Sequence, residues 1–363
     1  MTTGSRPLAG SVLVDDPKVA RAILKDDGFV PTEVVKLVGW LQSETGTDLP
    51  YLSRYTPHLL FFMHGPDHLS ARRALARFQN PAHTERYRAT LVDIIENRLR
   101  TLSDTCDLSV DFVWAVLIDI LRSHIGVASL DLPTLDRLIV TIKPLLVGDI
   151  KLRIFQQLDQ SIETVDRLLD QTAPPPDSML AFLRTQKMGE DAVRALVLAQ
   201  LAGTGLLGKL LTDLLVSVLS DYADDGQFPT QDWLDRHQEA IMLDNMPLGV
   251  VARVADRPSP PCPYAPGTVA RLDLTAREAR MQTISSRKDG PTYERHLHFG
   301  AGPHMCPGAY LVRMVVTETM SAFAHHKIRG RILNTLDETA TKGAAASYVT
   351  HVPFQKLTPV FTQ

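Results

Sequence analysis

Apolar positions recur at intervals of three and four over most of this chain, the spacing that lines one face of an α-helix. On that pattern helices are predicted over residues 91–102, 110–125, 135–146, 152–169, 178–184, 191–222, 233–243 and 309–324. The stretch 191–222 stands apart. At 1.5 Å per residue its roughly 32 residues span about 48 Å, and 196–211 is apolar on nearly every side, the mark of a helix buried all round. Strand-like stretches are short and scattered, at 11–14, 250–255, 268–274 and 360–362. The fold class expected is mainly α with a small β subdomain.

Proline and glycine mark the joints. Pro174, Pro175 and Pro176 separate two helices, and Pro258, Pro260, Pro261 and Pro263 stiffen an irregular connection ahead of a turn at Pro266-Gly267. No repeat period, Gly/Ser linker or charge block divides the chain, so residues 1–363 are expected to form one domain.

Composition narrows the function classes. Thirty-eight basic residues against forty-one acidic ones leave a net charge of −3, without the clustered positive excess that nucleic acid or an anionic membrane requires. The most apolar run, 195–208, is bracketed by Arg194 and Lys209 and is shorter than the roughly 20 residues of a bilayer span. Residues 1–10 carry one arginine and no apolar core, unlike a secretory signal. Three cysteines, Cys106, Cys262 and Cys306, cannot form a disulfide framework, which suits a reducing compartment. The expectation is a cytoplasmic protein with neither nucleic acid nor membrane as partner.

One segment concentrates chemistry: residues 296–308, His-Leu-His-Phe-Gly-Ala-Gly-Pro-His-Met-Cys-Pro-Gly, followed at once by a predicted helix. A buried thiol at a helix start is one reading. A zinc site built from the His-x-His and His-x-Cys pairs is another. Neither uses Gly300 and Gly302, which let a backbone loop approach a flat ligand closely, with Phe299 packed beside the sulfur. Cys306, just ahead of the helix, meets unsatisfied backbone N–H groups that favour a thiolate. A thiolate held against a flat ring is an axial haem ligand.

The segment resembles the haem loop of the cytochrome P-450 family, F-G-x-G-x-[HR]-x-C-x-G, at every fixed position from Phe299 to Gly308. The resemblance implies haem b (iron protoporphyrin IX) with Cys306 as its metal ligand, and Phe299, Gly300, Gly302, His304 and Gly308 shaping the loop. Three further anchors follow in family order. His68 and Arg72, four apart, resemble the helical pair that clamps one haem propionate. Arg253, in Val250-Val251-Ala252-Arg253-Val254-Ala255, resembles the strand arginine that binds the other, and His304 adds a third donor. The likeness runs from about residue 11 to the C-terminus, with 354–361 as the terminal hairpin.

Departures from the family pattern are as informative. The helix over the distal face of the haem usually carries A-G-x-[DE]-T-[TS], whose acid and threonine deliver protons to iron-bound dioxygen. Here the match is Ala202-Gly203-Thr204-Gly205-Leu206-Leu207: Gly205 stands for the acid and Leu206 for the threonine. Thr204 is two residues from Leu206, about 200° round a helix, and does not simply take over that position. No acid-threonine pair occurs from 191 to 211, so the proton relay is expected to be lost. In the family's E-x-x-R pair, Glu239 is present but Met242 replaces the arginine, so that Glu239 must find another partner, with Arg287 and Arg295 downstream as candidates. The region between Arg277 and Arg287 or Arg295 is shortened and lacks the family's aromatic-arginine meander, and residues 11–17 resemble the second strand of the family's N-terminal hairpin. The family's N-terminal helix and first strand are therefore expected to be missing, leaving a wide substrate opening.

Three functions are carried forward. The first is a haem-thiolate enzyme without normal dioxygen activation, performing a redox-neutral cyclisation, rearrangement or dehydration, or driven by peroxide, with Cys306, Thr204, Gly205 and Leu206 around the reacting centre. The second is an oxygen-dependent monooxygenase fed by ferredoxin and its reductase through a basic patch of Arg72, Arg73, Arg77 and Arg313, its protons coming from substrate or water. The third is a non-catalytic haem-bearing scaffold. The substrate expected for the enzymes is a hydrophobic, natural-product-like small molecule of microbial secondary metabolism, in a pocket lined by 201–207, 30–60 and 248–251.

Overall fold

The structure, a computed structural model, describes residues 9–146, 151–171, 173–221, 242, 249–257, 264–274, 297, 299–328, 330–333 and 349–356. Local chemistry sets the helix boundaries. The Asp16 carboxylate accepts from the backbone N–H of Lys18 (2.7 Å) and Val19 (3.3 Å), and Pro17 opens helix α1 (Pro17–Lys25). Helix α2 (Val34–Thr45) stops at Gly46, whose φ of 67° only glycine adopts cheaply. Helices α3 (Pro50–Tyr55), α4 (Gly65–Phe78) and α5 (Pro81–Arg86) each begin on or beside a proline, and α6 (Arg88–Thr101) follows. The three α-helices ahead of α4, where periodicity alone shows little, are short, and their exposed faces dilute the apolar spacing.

The predicted helix 110–125 is helical but not uniform. An α-helical turn, α7 (Ala115–Ile120), is flanked by wider π-helical turns at Leu108–Trp114 and Leu121–Ile125. The segment is buried on most sides, so a turn with one extra residue leaves no trace in the apolar pattern. Helix α8 (Leu132–Leu146) starts three residues earlier than expected because the Asp131 side chain accepts from Thr134 N–H (2.9 Å). Helices α9 (Leu152–Gln171) and α10 (Met179–Arg184) match their predicted spans within two residues.

Helix α11 (Glu190–Asp221) is the axis of the fold, within one residue of its predicted ends. It is long and apolar enough to cross a bilayer, yet 72% of its most apolar window is buried inside the protein. Two glycines let neighbours approach it closely. A Cβ on Gly205 would lie 2.6 Å from Ile139 of α8, and one on Gly208 would lie 2.5 Å from the Trp114 indole. Buried charge fixes its N-terminal end: Arg194 Nη1 donates to Asp166 of α9 (2.8 Å), and its Nε donates to Glu190 (3.0 Å). Tyr55 of α3 donates its hydroxyl proton to the same Asp166.

Strands β1 (Ala9–Val14), β2 (Phe29–Val30), β4 (Val250–Ala255) and β5 (Thr268–Asp273) form a sheet in the order β1-β5-β4-β2. β1 runs parallel to β5 and the other pairs are antiparallel, so Val12, Ala270 and Arg253 share one row. β1 is the edge of this sheet among the described residues. Residues 354–356 of the expected terminal hairpin belong to a three-stranded sheet, with β7 (Pro353–Lys356) between β3 (Thr105–Asp107) and β6 (Gly330–Ile332), and 357–361 lie outside the described residues. The predicted strand 360–362, and the predicted helix 233–243 apart from Met242, lie outside the described residues. Beneath the four-stranded sheet a second small core of Ala20, Ile23, Leu24, Phe29 and Leu272 also takes in Leu297 and Ala301, which moors the 299–308 loop to the sheet and α1.

Candidate active site

The 299–308 loop is held by its own backbone. Gly300 N–H donates to Leu297 (2.8 Å), Met305 N–H to Gly302 (3.1 Å) and Cys306 N–H to Phe299 (2.6 Å), returning Cys306 to the side of Phe299 just before helix α12 (Ala309–His325). Gly300 and Gly302 both have positive φ, 70° and 67°. Their purposes differ from the expectation in part. Gly300 lines the central cavity, whereas Gly302 does not; a Cβ on Gly302 would lie 2.4 Å from the carbonyl oxygen of Leu24. Gly302 is demanded by the close approach of α1 and not by the cavity. The Arg313 guanidinium lies 4.5 Å above the Phe299 ring, bracing the loop from α12.

The cavity, about 300 Å³, lies between α11 and this loop. Cys306, Phe299, Pro307 and Gly308 line it from the loop, His68 and Arg72 from α4, Arg253 from β4, and His304 from the short turn before Cys306. Burial pushes the Cys306 thiol up, opposite to the expected helix-start effect; the Gly308 N–H, Arg72 and Arg313 act the other way without overcoming it. Among the described residues no group of three or more His, Cys, Asp or Glu side chains could hold a metal ion, and His296 and His298 lie outside them.

Positive and potentially positive groups crowd one side of this cavity. His68 and Arg253 are 1% and 9% exposed. The His68 and His304 rings stack at 4.1 Å. Burial, followed by neighbouring cations, pushes His68 down to about 4 and His304 down to about 3. Arg253 donates to the Ala252 carbonyl (2.8 Å), and burial alone lowers it to about 10. The Nε2 of His68 has no hydrogen-bond partner among the described residues. Among the described residues no carboxylate contributes to the ionisation of His68, Arg72, Arg253 or His304; the one anion-forming group acting on Arg72 there is Cys306. Burying two guanidinium groups and an unpartnered imidazole is costly unless an anion meets them. The set fits a flat ligand bearing carboxylates on one edge and a thiolate-binding metal at its centre, which is what haem presents.

Arg72 therefore faces the cavity and is not part of a surface patch with Arg73 and Arg77, which are exposed on α4. Arg77 donates to Gln186 (3.2 Å). The departures seen in the sequence take definite positions. Leu206 lines the cavity, but Gly205 faces α8, where Ile139 fills the space of any larger side chain. Thr204 lines the cavity too, although it lies two residues from Leu206, and its hydroxyl donates to the Gln200 carbonyl (2.9 Å). Met242 is fully buried and lines the cavity; Glu239, Arg277, Arg287 and Arg295 lie outside the described residues.

The expected pocket segments converge. Pro31, Thr32 and Leu60 line the cavity with Gly203, Leu207 and Val251, as do Phe61 and Phe62 just beyond the expected stretch. Sequence reasoning did not find Gln79 or Gln200. Gln79 Nε2 donates to Gln200 Oε1 (2.6 Å) across 121 residues of chain, a pairing for which neither local sequence carries a signal.

No family model matches the sequence, and no curated protein matches it. Solved structures do match the fold. P450BioI, in complex with hexadec-9Z-enoic acid ligated acyl carrier protein, superposes with a TM-score of 0.74 at 16% identity, over 95% of this chain and 92% of that one. Epothilone D-bound cytochrome P450epoK gives 0.68 at 17% over 96% and 91%, and CYP154A1 from Streptomyces coelicolor gives 0.67 at 18% over 94% and 90%. Helical body, small sheets and cysteine loop together give this chain the cytochrome P450 fold.

Proposed function

We propose that the chain is a haem-thiolate enzyme acting on a hydrophobic, natural-product-like small molecule without ordinary dioxygen activation. The observation that carries the reading is the convergence of His68, Arg72, Arg253 and His304, with no carboxylate opposite them among the described residues, beside Cys306 in an apolar cavity. When bound, thiolate-ligated haem supplies an electron-rich iron for redox or Lewis-acid chemistry. Cys306 is the metal ligand. Arg72 and Arg253, with His68 and His304 as donors, hold the propionates, and Phe299, Gly300 and Gly308 shape the bed of the ring.

The distal wall supports the second half of the reading. Leu206 offers no proton, Gly205 has no side chain and faces away, and the Thr204 hydroxyl proton is committed to the Gln200 carbonyl. Apolar side chains on α11 and at residues 60–62 make up most of the rest of this wall. Proton transfer by a positioned side chain, worth a factor of 10² to 10⁴ as an order of magnitude, is missing from this wall. Redox-neutral cyclisation, rearrangement or dehydration needs no protons delivered to dioxygen, and peroxide brings with it the two protons that leave as water. The alternative is a monooxygenase that takes electrons from a ferredoxin and protons from substrate or water; the exposed Arg73 and Arg77 favour it. A cytoplasmic setting goes with both.

The test has two parts. Purified protein, reduced and treated with carbon monoxide, is expected to show the thiolate-haem absorption band, and Cys306→Ala is expected to lose it; a folded, fully active protein without haem would overturn the assignment. Turnover of the native precursor is then compared in three conditions: anaerobic without reductant, with peroxide, and aerobic with ferredoxin and reductase. Activity confined to the last condition selects the monooxygenase.

A further inference from the structure

Polar groups are scarce on the α11 side of the cavity, and two lie one helical turn apart. Gln200 and Thr204 both line it. The Thr204 hydroxyl donates to the Gln200 carbonyl at 2.9 Å. With its single proton engaged there, Thr204 presents only lone pairs to the cavity. The Gln200 side chain has the opposite polarity: its Oε1 accepts from Gln79 Nε2 at 2.6 Å. Gln79 is 5% exposed and its own Oε1 has no partner among the described residues; with its Nε2 donating to Gln200 Oε1, the Gln200 amide is left with its N–H donors. No described residue takes those protons. Around the pair the wall is Gly203, Leu206, Leu207 and Leu210, with open space above Gly203.

We propose that Gln200 and Thr204 form a donor–acceptor reading head that selects an otherwise apolar substrate carrying a hydroxyl or amide N–H next to a carbonyl. The substrate O–H or N–H donates to Thr204 Oγ1, and its carbonyl accepts from Gln200 Nε2. The inference rests on the proposed haem site for its function, but the polarity of the pair follows from the hydrogen bonds of this chain alone. The two residues are specificity residues. Gln79 is a positioning residue that acts through Gln200. A site that satisfies a ligand's polar group discriminates strongly against the analogue lacking it, because its own groups are then left unpaired.

The experiment uses haem-loaded protein and four matched probes: cyclododecane, cyclododecanol, cyclododecanone and 2-hydroxycyclododecanone, with binding measured by calorimetry. In the wild type the alcohol and the ketone are each expected to bind about tenfold tighter than the hydrocarbon, and the hydroxyketone tightest. Thr204→Val is expected to erase the advantage of the alcohol and keep that of the ketone. Gln200→Leu is expected to do the reverse, and Thr204→Ser to restore the wild-type order. Gln79→Leu, which frees the Gln200 amide to turn, is expected to shrink the advantage of the ketone alone. Equal binding of the four probes, failure of all four to bind, or equal losses for all probes in both variants would overturn the proposal. Protein that takes up no haem overturns the proposed function instead, so the two failures are distinct.

Discussion

At the scale of single residues, Gly205 shows how a missing group differs from a vacant place. The sequence shows that the acid of the relay is gone; the structure adds that α8 occupies its space. Alanine favours a helix over glycine by about 1 kcal/mol, but overpacking a filled core costs about 1–3 kcal/mol. Ile139, 2% exposed and 2.6 Å from the position of the new atom, leaves no slack. Gly205→Ala is expected to lower stability in urea melts, and to lower it less when Ile139→Ala is already present. Gly205→Asp should be worse, since its carboxylate enters an apolar contact. Arg253 makes the opposite case. Buried without an anion, it weakens the haem-free protein, so Arg253→Met is expected to raise the melting temperature of the haem-free protein while weakening haem retention by about ten- to a hundredfold. The cysteine loop and the positions of His68, Arg72, Arg253 and His304 were legible in the sequence because motif spacing encodes them. The Gln79–Gln200 pair was not, because it depends on two helices meeting.

Among elements, charge and imidazole burial decide how helices stay together. Asp166 joins α9 to α3 through Tyr55 and to α11 through Arg194, which is 8% exposed. Asp166→Ala leaves a buried arginine short of a partner, and a loss of about 3 kcal/mol is expected from chemical denaturation. His124, 3% exposed, is packed between Phe78 and Tyr87 with ring centroids at 4.9 and 4.3 Å, and its Nε2 has no partner among the described residues. Burial, then His83, pushes it down to about 4. The unfolded chain binds a proton near its ordinary value of 6.5 and the native chain does not, so stability falls as pH drops from about 6.5 towards 4, by at most about 3 kcal/mol. His68 and His304 add to the same decline, so His124→Phe is expected to reduce it by about a third in urea midpoints measured at pH 7 and pH 5; an unchanged slope would remove His124 as a source. Long helices such as α9 and α11 could be read from periodicity because their buried faces repeat over many turns. The π-helical turns around α7 could not, since most of 108–125 is buried and its few polar residues, among them Asp111, Asp119 and Arg122, are too sparse to mark one extra residue per turn.

For the whole molecule, the cavity belongs to no single stretch of chain. Its anchors come from α4, β4 and the loop before α12, and its far wall from α11. This is why composition and periodicity reached a helical body with a small sheet but not the size or lining of the cavity. Haem should bind the completed fold far better than the unfolded chain, and the melting temperature is expected to rise with haem concentration, a rise that Cys306→Ala diminishes. One detail of the sheet bears on how that state is reached. β1 pairs in parallel with β5, Val12 opposite Ala270, and β5 in turn holds the row containing Arg253. During synthesis the N-terminal strand emerges long before its partner, and must wait unpaired until most of the chain has left the ribosome. Cofactor capture is then a late event in biogenesis, and a nascent chain stalled ahead of β5 should carry none.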